Sequence, residues 1–451
     1  MIEHRRVFSD ILRSLAASIL VLMCASTLGG QVSTSGFASP PAIAGPSRPS
    51  AVPEGYVITP FGYYHLSCVH QVDEGGTILA DGRVQHADGR VDASAPICSY
   101  PRYSPNGSVI SQSQPMVENC TVDGAGWIES IGASASANTS YGKLSATWTV
   151  PPSPSSDDGQ LLYLFPGFAD CPNGASILQP VLQWGYAELP TGGIGGNYWQ
   201  IVSWNAYGET GVYHGPPVRV SPGDTILGTI SSTCKPGGNS CPTWNVVTVD
   251  KNTGGKSTLA GTLSNGQVWN LAFGGVLEAP YGVTQCSDYP ANGNVVFNVH
   301  LYDENLKPIS NPGWTANPAD PGITPQCGFD LNPSATKETL FYDYGPGTIE
   351  SLTCTSEPYG FLVTVKGTLQ GPKGAAYTMT WADVNGNDWT DPFQSCSPWT
   401  LSNSWPFACT NKTGKSSKAK YVYEIPEFQS TNVTVTLKGG SNPVTASVSC
   451  P

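Results

Sequence analysis

Polar and apolar residues in this chain alternate over short stretches rather than recurring at helical spacing. "KLSATWTV" (Lys143–Val150), "VVFNVHLY" (Val295–Tyr302) and "NVTVTL" (Asn432–Leu437) put β-branched and aromatic residues at every second position, as half-buried strands do. Glycine (51) and proline (39) are abundant, and long runs of helix formers are missing, so a mainly β protein with many turns is expected. Two stretches depart from alternation. "ASILQPVLQWGYAELP" (Ala175–Pro190) is an apolar run holding two glutamines and a proline, and "LAFGGVLEAPYG" (Leu271–Gly282) is an apolar run holding one glutamate.

Turn clusters divide the chain. From Trp127 to Tyr344, strand candidates are separated by "PTGGIGGN", "SPGD" and "DKNTGGK", a spacing that suits a sandwich or jelly roll. Upstream, Glu54–Thr121 is a small cysteine-bearing segment with "ADGRV" at Ala80–Val84 and again at Ala87–Val91. Two Asp-Gly turns so close together predict small hairpins. Beyond "YGPG" (Tyr344–Gly347), further alternating strands predict a separate immunoglobulin-like or carbohydrate-binding-like β module. The N-terminus has the form of a secretion signal: His4, Arg5 and Arg6, then the apolar "LAASILVLMCASTL", then small residues. The expected organisation is a signal over 1–30, a Ser/Pro-rich leader over 31–53, a small β segment over 54–122, a β-sandwich over 123–344 and a C-terminal module over 345–451.

Charge and cysteine content narrow the functions. Charged residues make up 12% of the 451 positions, with a formal net charge of −12, which argues against a nucleic-acid partner. No segment after the signal is apolar for long enough to form a membrane helix. Of 13 cysteines, Cys24 falls in the signal, and the even remainder in an exported chain implies disulfides. Cys234 and Cys241, flanking "KPGGNS", form the first pair expected. A secreted, soluble, monomeric product without metal or cofactor follows.

Familiar catalytic motifs are missing. There is no His-Glu-x-x-His zinc helix, no Gly-x-Ser-x-Gly elbow and no phosphate-binding loop with its lysine. His65, Cys68 and His70 in "HLSCVH" are better read as a disulfide beside two surface histidines than as a metal site. His300 reads as a half-buried strand residue, His214 as a loop residue before Gly-Pro-Pro, and Asp157 and Asp158 as a solvated turn. The abundant tryptophans are as compatible with a core as with a sugar-stacking surface.

The two glutamines are the better clue. Proline cannot donate to a ladder, so Pro180 is expected to start a strand or mark an edge. Counting by twos from there, Val181, Gln183 and Gly185 share one face, while Leu182 and Trp184 share the other. Gln183 then projects beside a glycine, and Gln179 is the less favourably placed amide. Glu278 closes its apolar strand before Pro280, where a carboxylate must be solvated, paired or functional. From the residues alone, a hydrogen-bonded amide and a strand-end carboxylate remain the simpler explanations.

"YGKLSATWTVPP" (Tyr141–Pro152), "LFPGFAD" (Leu164–Asp170), "VLQWG" (Val181–Gly185), "VSPGDTI" (Val220–Ile226) and "GGVLEAP" (Gly274–Pro280) follow one another in a set order after Trp127. Together they resemble the eqolisin family of glutamic peptidases over about residues 126–344. The resemblance implies a concanavalin-A-like β-sandwich, a catalytic glutamine at Gln183 in the Leu-Gln-x-Gly motif and a catalytic glutamate at Glu278. An alternative alignment selects Gln179 but puts Val181 where the family has glycine. The implied chemistry is cofactor-free. The glutamate takes a proton from water and passes it to the leaving amine, while the glutamine orients the water and steadies the oxyanion. Trp127, Phe165, Trp184 and Trp204 become candidate substrate-binding aromatics. The chain departs from the family pattern at Phe165, where the family has tryptophan, and at Ala187 (next to Glu188) and Ser203, where it has acidic residues. The expectation is a secreted acid endopeptidase acting on polypeptides. The alternatives are a lectin-like, non-catalytic sandwich or a structural protein that keeps the fold without the dyad.

Overall fold

The computed structural model describes residues 48–79, 81–92, 98–110, 126–136, 139–170, 176–188, 193–207, 211–235, 241–263, 267–319, 323, 325, 327–342, 348–358, 360–369 and shorter strand segments from 376 to 450. The expected secretion signal over 1–30 and most of the expected leader over 31–53 lie outside the described residues. Among the described residues no helix is long and apolar enough to cross a membrane.

The first seven strands are short: β1 (Tyr56–Thr59), β2 (Gly62–His65), β3 (Val69–Gln71), β4 (Thr77–Ile78), β5 (Val84–Gln85), β6 (Arg102–Tyr103) and β7 (Val109–Ile110). Strands β1, β2, β6 and β7 form a small sheet of their own. The Asp-Gly repeats make tight turns as expected, with Asp81 and Asp88 accepting from the backbone N–H of Arg83 and Arg90. Cys68 is bonded to Cys98 in this segment, which resolves the "HLSCVH" cluster as a disulfide.

The sandwich follows. Its first half comprises β8 (Trp127–Ser134), β9 (Lys143–Thr149), β10 (Leu161–Ala169), β11 (Ser176–Ala187), β12 (Ile194–Tyr207), β13 (Gly211–His214) and β14 (Val218–Arg219). Then come β15 (Thr225–Ser232), β16 (Thr243–Asp250), β17 (Lys256–Leu263), β18 (Leu271–Tyr281) and β19 (Asn294–Tyr302), with β20 (Thr315–Asn317), β21 (Asp330–Asn332) and β22 (Lys337–Phe341) closing it. The front sheet runs β20-β8-β18-β10-β11-β12-β13-β3, and the back sheet β21-β22-β19-β9-β15-β16-β17-β4-β5. This is the all-β sandwich the sequence predicts. The N-terminal segment supplies the last strands of both sheets, β3 in parallel to β13 and β4 in parallel to β17.

The two sheets bury different patterns. Back-sheet strands β9, β15 and β16 alternate, because one face meets the other sheet and one meets water. Front-sheet strand β10 is buried at every position, and β11 and β18 at almost every position. Such strands are covered on both faces. One face packs on the back sheet through Leu162, Leu164, Leu182 and Leu277. The other packs under the N-terminal segment, where Tyr163, Phe165 and Val181 share a cluster with Tyr56, Ile58 and Phe61.

Pro180 neither starts its strand nor lies at an edge, because β11 is central to the front sheet. The β10–β11 register pairs Leu164 with Leu182 and Phe168 with Leu178, so Pro166 stands opposite Pro180. The two residues lacking an N–H face each other, and no donor on either strand is left without an acceptor there by the mismatch. Likewise β18 runs through Pro280 to Tyr281 instead of closing before it.

Cys234–Cys241 forms as expected, and Cys286–Cys327 ties the loop after β18 to the start of β21. Beyond residue 347 the described strands form a four-stranded and a six-stranded sheet. Cys354, on Thr348–Glu357 of the first, is bonded to Cys450, on Val444–Cys450 of the second.

Candidate active site

Three central strands of the front sheet bring the predicted pair onto one line. Tyr163 on β10 is the cross-strand partner of Gln183 on β11 and also of Glu278 on β18. Residues directly opposite in antiparallel strands project to the same face, so Gln183, Tyr163 and Glu278 share one. Two strand spacings of about 4.8 Å put the Gln183 and Glu278 backbones roughly 10 Å apart. The line continues to Trp127, the partner of Glu278 on β8, and to Gln200, the partner of Gln183 on β12. Bulges make this possible. Register shifts on β18 between Phe273 and Gly275, and between Leu277 and Glu278 against β8, turn Val276 and Glu278 to the face of Phe273.

Gln183 and Glu278 are both 0% exposed. The Gln183 amide nitrogen donates to two backbone carbonyls, Gly185 at 3.0 Å and Ile194 at 3.2 Å, and this fixes its orientation. Its side-chain oxygen has no hydrogen-bond partner. Gly185 has φ +91°, and a Cβ there would lie 2.1 Å from the Gln160 carbonyl oxygen. The space beside Gln183 is therefore filled by backbone rather than left open. Gly195 is constrained too, since its Cβ would lie 2.7 Å from the Gln183 amide nitrogen.

Neither oxygen of Glu278 has a hydrogen-bond partner, and no described residue forms an ion pair with it. Burial pushes its carboxyl well above the ordinary carboxylate range, which favours the neutral form in this conformation. The Trp127 indole N–H, near it but short of good hydrogen-bond geometry, opposes that shift. Tyr163 is buried, its hydroxyl is unpartnered, and burial together with Glu278 pushes its pKa upward, so it keeps its proton.

The candidate aromatics divide between the faces. Trp127 packs edge-on against Phe165 (5.8 Å) and Phe273 (4.7 Å) beside Glu278. Trp204 is on the same face, partnered with Gln179 and 4.9 Å from the His214 ring. Trp184 is not there. It lies between the two sheets, 5.4 Å from Trp199, as its strand parity with Leu182 requires. Ala187 and Phe165 belong to the face of Gln183 and Glu278, whereas the Ser203 hydroxyl turns to the back sheet and bonds Thr248 and the Ser257 carbonyl.

The face is not an open cleft, because the N-terminal segment lies on it. His214 is also not a loop residue. It ends β13, is buried, and has its pKa pushed down to about 4, chiefly by that burial. His300 is exposed on β19. Among the described residues no group of three or more His, Cys, Asp or Glu is placed to hold a metal. Sequence reasoning passed over Tyr163 and Gln200, whose amide nitrogen is buried and unpartnered. Only the cross-strand register picks out these two from other polar residues in apolar runs.

No family model matches the chain, and no curated protein matches it. Among solved structures it is similar to Scytalido-glutamic peptidase, crystallised with a peptide-based transition-state analogue. The identity is 16% and the TM-score 0.36, covering 48% of this chain and 98% of that one. It is also similar to SCP-B, described as a member of the Eqolisin family of peptidases and solved with the tripeptide Ala-Ile-His. There the identity is 17% and the TM-score 0.34, again over 48% of this chain and 98% of the other.

Proposed function

We propose that the protein is a secreted acid endopeptidase of glutamic type, with Gln183 and Glu278 as its catalytic pair. The observation that supports this most is the shared register of both residues with Tyr163, which puts an unpaired carboxyl and an amide on one face. An unpartnered buried carboxyl costs stability, and a purely structural position would be expected to fill with an apolar residue. The motif order in the sequence supports the same assignment.

In the proposed reaction the face is exposed to water and substrate, so the burial that keeps Glu278 neutral is relieved and the carboxylate becomes available in mild acid. Glu278 takes one proton from a water whose other O–H donates a hydrogen bond to the Gln183 side-chain oxygen and stays on the attacking oxygen. The water oxygen attacks the scissile carbonyl. Glu278 then gives its proton to the departing amine, leaving a carboxylic acid and an amine. Both protons of the Gln183 amide are already committed to backbone carbonyls. The Tyr163 hydroxyl, held protonated between the pair, is therefore the donor proposed for the developing oxyanion. One such donor contributes about 3 kcal/mol to barrier lowering.

The test is digestion of an acid-denatured protein between about pH 2 and 5 by the wild type and by Glu278→Gln. The proposal requires peptide products from the wild type and none from the variant. Equal digestion by both removes Glu278 from the chemistry. Digestion by neither, with retained binding to polysaccharide, favours a lectin-like sandwich.

A further inference from the structure

The dyad face is occupied by the protein's own chain, and the manner of occupation identifies a binding residue. The β1–β2 hairpin reaches over the front sheet with its turn at Pro60 and Phe61. At the turn, the Gln179 amide donates to the Pro60 backbone carbonyl at 3.1 Å. Three residues on, Tyr63 comes near enough to act electrostatically on both Tyr163, in the dyad line, and Tyr281 beyond it. Gln179 and Gln183 are four residues apart on β11, about 13 Å at strand rise, and β2, leaving the turn at Gly62 and running to His65, covers about 10 Å. The turn thus sits at Gln179, and β2 leads away from it with Tyr63 toward the line of Gln183, Tyr163 and Glu278. Phe61, Tyr63 and Ile58 are buried against the face, and the Arg102 guanidinium lies 4.2 Å over the Phe61 ring.

The rest of the segment is fastened separately. Strands β3 and β4 extend the two sheets, the Val72 N–H donates to the His214 carbonyl at 2.8 Å, and the Tyr213 hydroxyl donates to the Gly82 carbonyl at 2.8 Å. Lys256 pairs with Glu74 at 2.8 Å on the outside. These contacts hold the segment at the far edge of the sheets, so the blocking part is the hairpin.

We propose that Gln179 is the backbone-anchoring residue of a binding site for an extended polypeptide on the dyad face, and that in the resting protein the β1–β2 hairpin fills this site and blocks it. The inference rests on the peptidase assignment for what the site does, but not for its occupancy. A backbone carbonyl is the one group every peptide offers, and a neutral amide binds it at any pH. This explains why an amide stands at position 179, partnered with Trp204 and two turns of the pleat from Gln183. Substrate engages only when the hairpin lifts, and its own carbonyl then takes the place of the Pro60 carbonyl.

Two readouts test this, and one does not involve catalysis. Carbodiimide labelling of Glu278 in the full chain is measured by mass spectrometry, with an exposed carboxylate such as Glu74 as internal reference. In the wild type, Glu278 should label at least tenfold more slowly than Glu74. Phe61→Ser and Tyr63→Ser, which weaken the hairpin's apolar contact, should each raise Glu278 labelling tenfold or more while Cys68–Cys98 stays intact. Labelling of wild-type Glu278 at the rate of Glu74, or no response to either variant, overturns the blocking role. For Gln179, the readout is peptide hydrolysis in the Phe61→Ser background. Adding Gln179→Ala should raise KM about tenfold with kcat little changed, as expected for one lost hydrogen bond. A fall in kcat with KM unchanged overturns the anchoring role. If labelling rises as expected while no variant cleaves any peptide, the blocking hairpin stands and the peptidase assignment fails.

Discussion

Glu338, near the edge of the back sheet, should make the protein more stable in acid than at neutral pH. Its side chain is 0% exposed, one carboxyl oxygen accepts only from the Ser334 N–H at 3.3 Å, and the other has no partner. Burial pushes its pKa up to about 8. A carboxyl whose folded pKa is raised contributes its stability below the unfolded value, near 4.5, and loses it as pH rises through the folded value. At pH 7 the solution is about 2.5 units above the unfolded pKa and still below the folded one, so about 3.4 kcal/mol is lost at 1.36 kcal/mol per unit. Halving this for solvent close to the sheet edge leaves about 1.7 kcal/mol. Glu338→Gln keeps the shape and can still accept from Ser334, but it removes the titration. Urea unfolding followed by tryptophan fluorescence should show wild type and variant alike at pH 4.5, and the variant more stable by about 1.7 kcal/mol at pH 7. A variant no more stable than wild type at pH 7, with an unchanged pH slope, refutes the reasoning.

Other perturbations probe the site and its frame. Gly185→Ala must hold φ +91° and push its Cβ to within 2.1 Å of the Gln160 carbonyl, so it should lose about 3 kcal/mol or more in urea unfolding. The Cys286–Cys327 bridge spans 41 residues and Cys234–Cys241 spans 7. The loop-entropy model makes loss of the longer bridge worse by about 1.5 kcal/mol, measurable by comparing the two Cys→Ser pairs. Tyr163→Phe deletes only the hydroxyl in the dyad line and should lower kcat about a hundredfold with KM nearly constant. An unchanged kcat would show that the oxyanion takes its proton bond elsewhere.

The sequence conveyed the β class, the Asp-Gly hairpins and the Cys234–Cys241 pair because each is a local signal, set by alternation or by a few turn residues. The parity of β11 likewise put Gln183 and Trp184 on opposite faces, and the tryptophan was a poor cleft candidate by that rule alone. What stayed hidden depends on pairing between distant segments. The bulges that turn Glu278 toward Tyr163 come from register with β10 and β8, which no window around Glu278 encodes. The Gly-Pro-Pro neighbours of His214 suggest a loop, yet pairing with β12 and β3 makes it strand. Pro180 misled because its partner proline is on another strand. The sequence does carry one signal of this covering: "LLYLFPGFA", "SILQPVLQWGYA" and "LAFGGVLEAPY" are apolar at nearly every position. Strands of that kind are covered on both faces, which already requires something to lie over Gln183 and Glu278.

The most direct test of the central claim is a double-mutant cycle on peptide hydrolysis at acid pH, comparing wild type, Glu278→Gln, Gln183→Ala and the double variant. If the two residues activate one water together, each single change should cost at least about a thousandfold in kcat/KM, and the double should cost little more than the worse single. Losses that simply multiply, or a Glu278→Gln enzyme that retains wild-type turnover, would contradict a Gln183–Glu278 dyad.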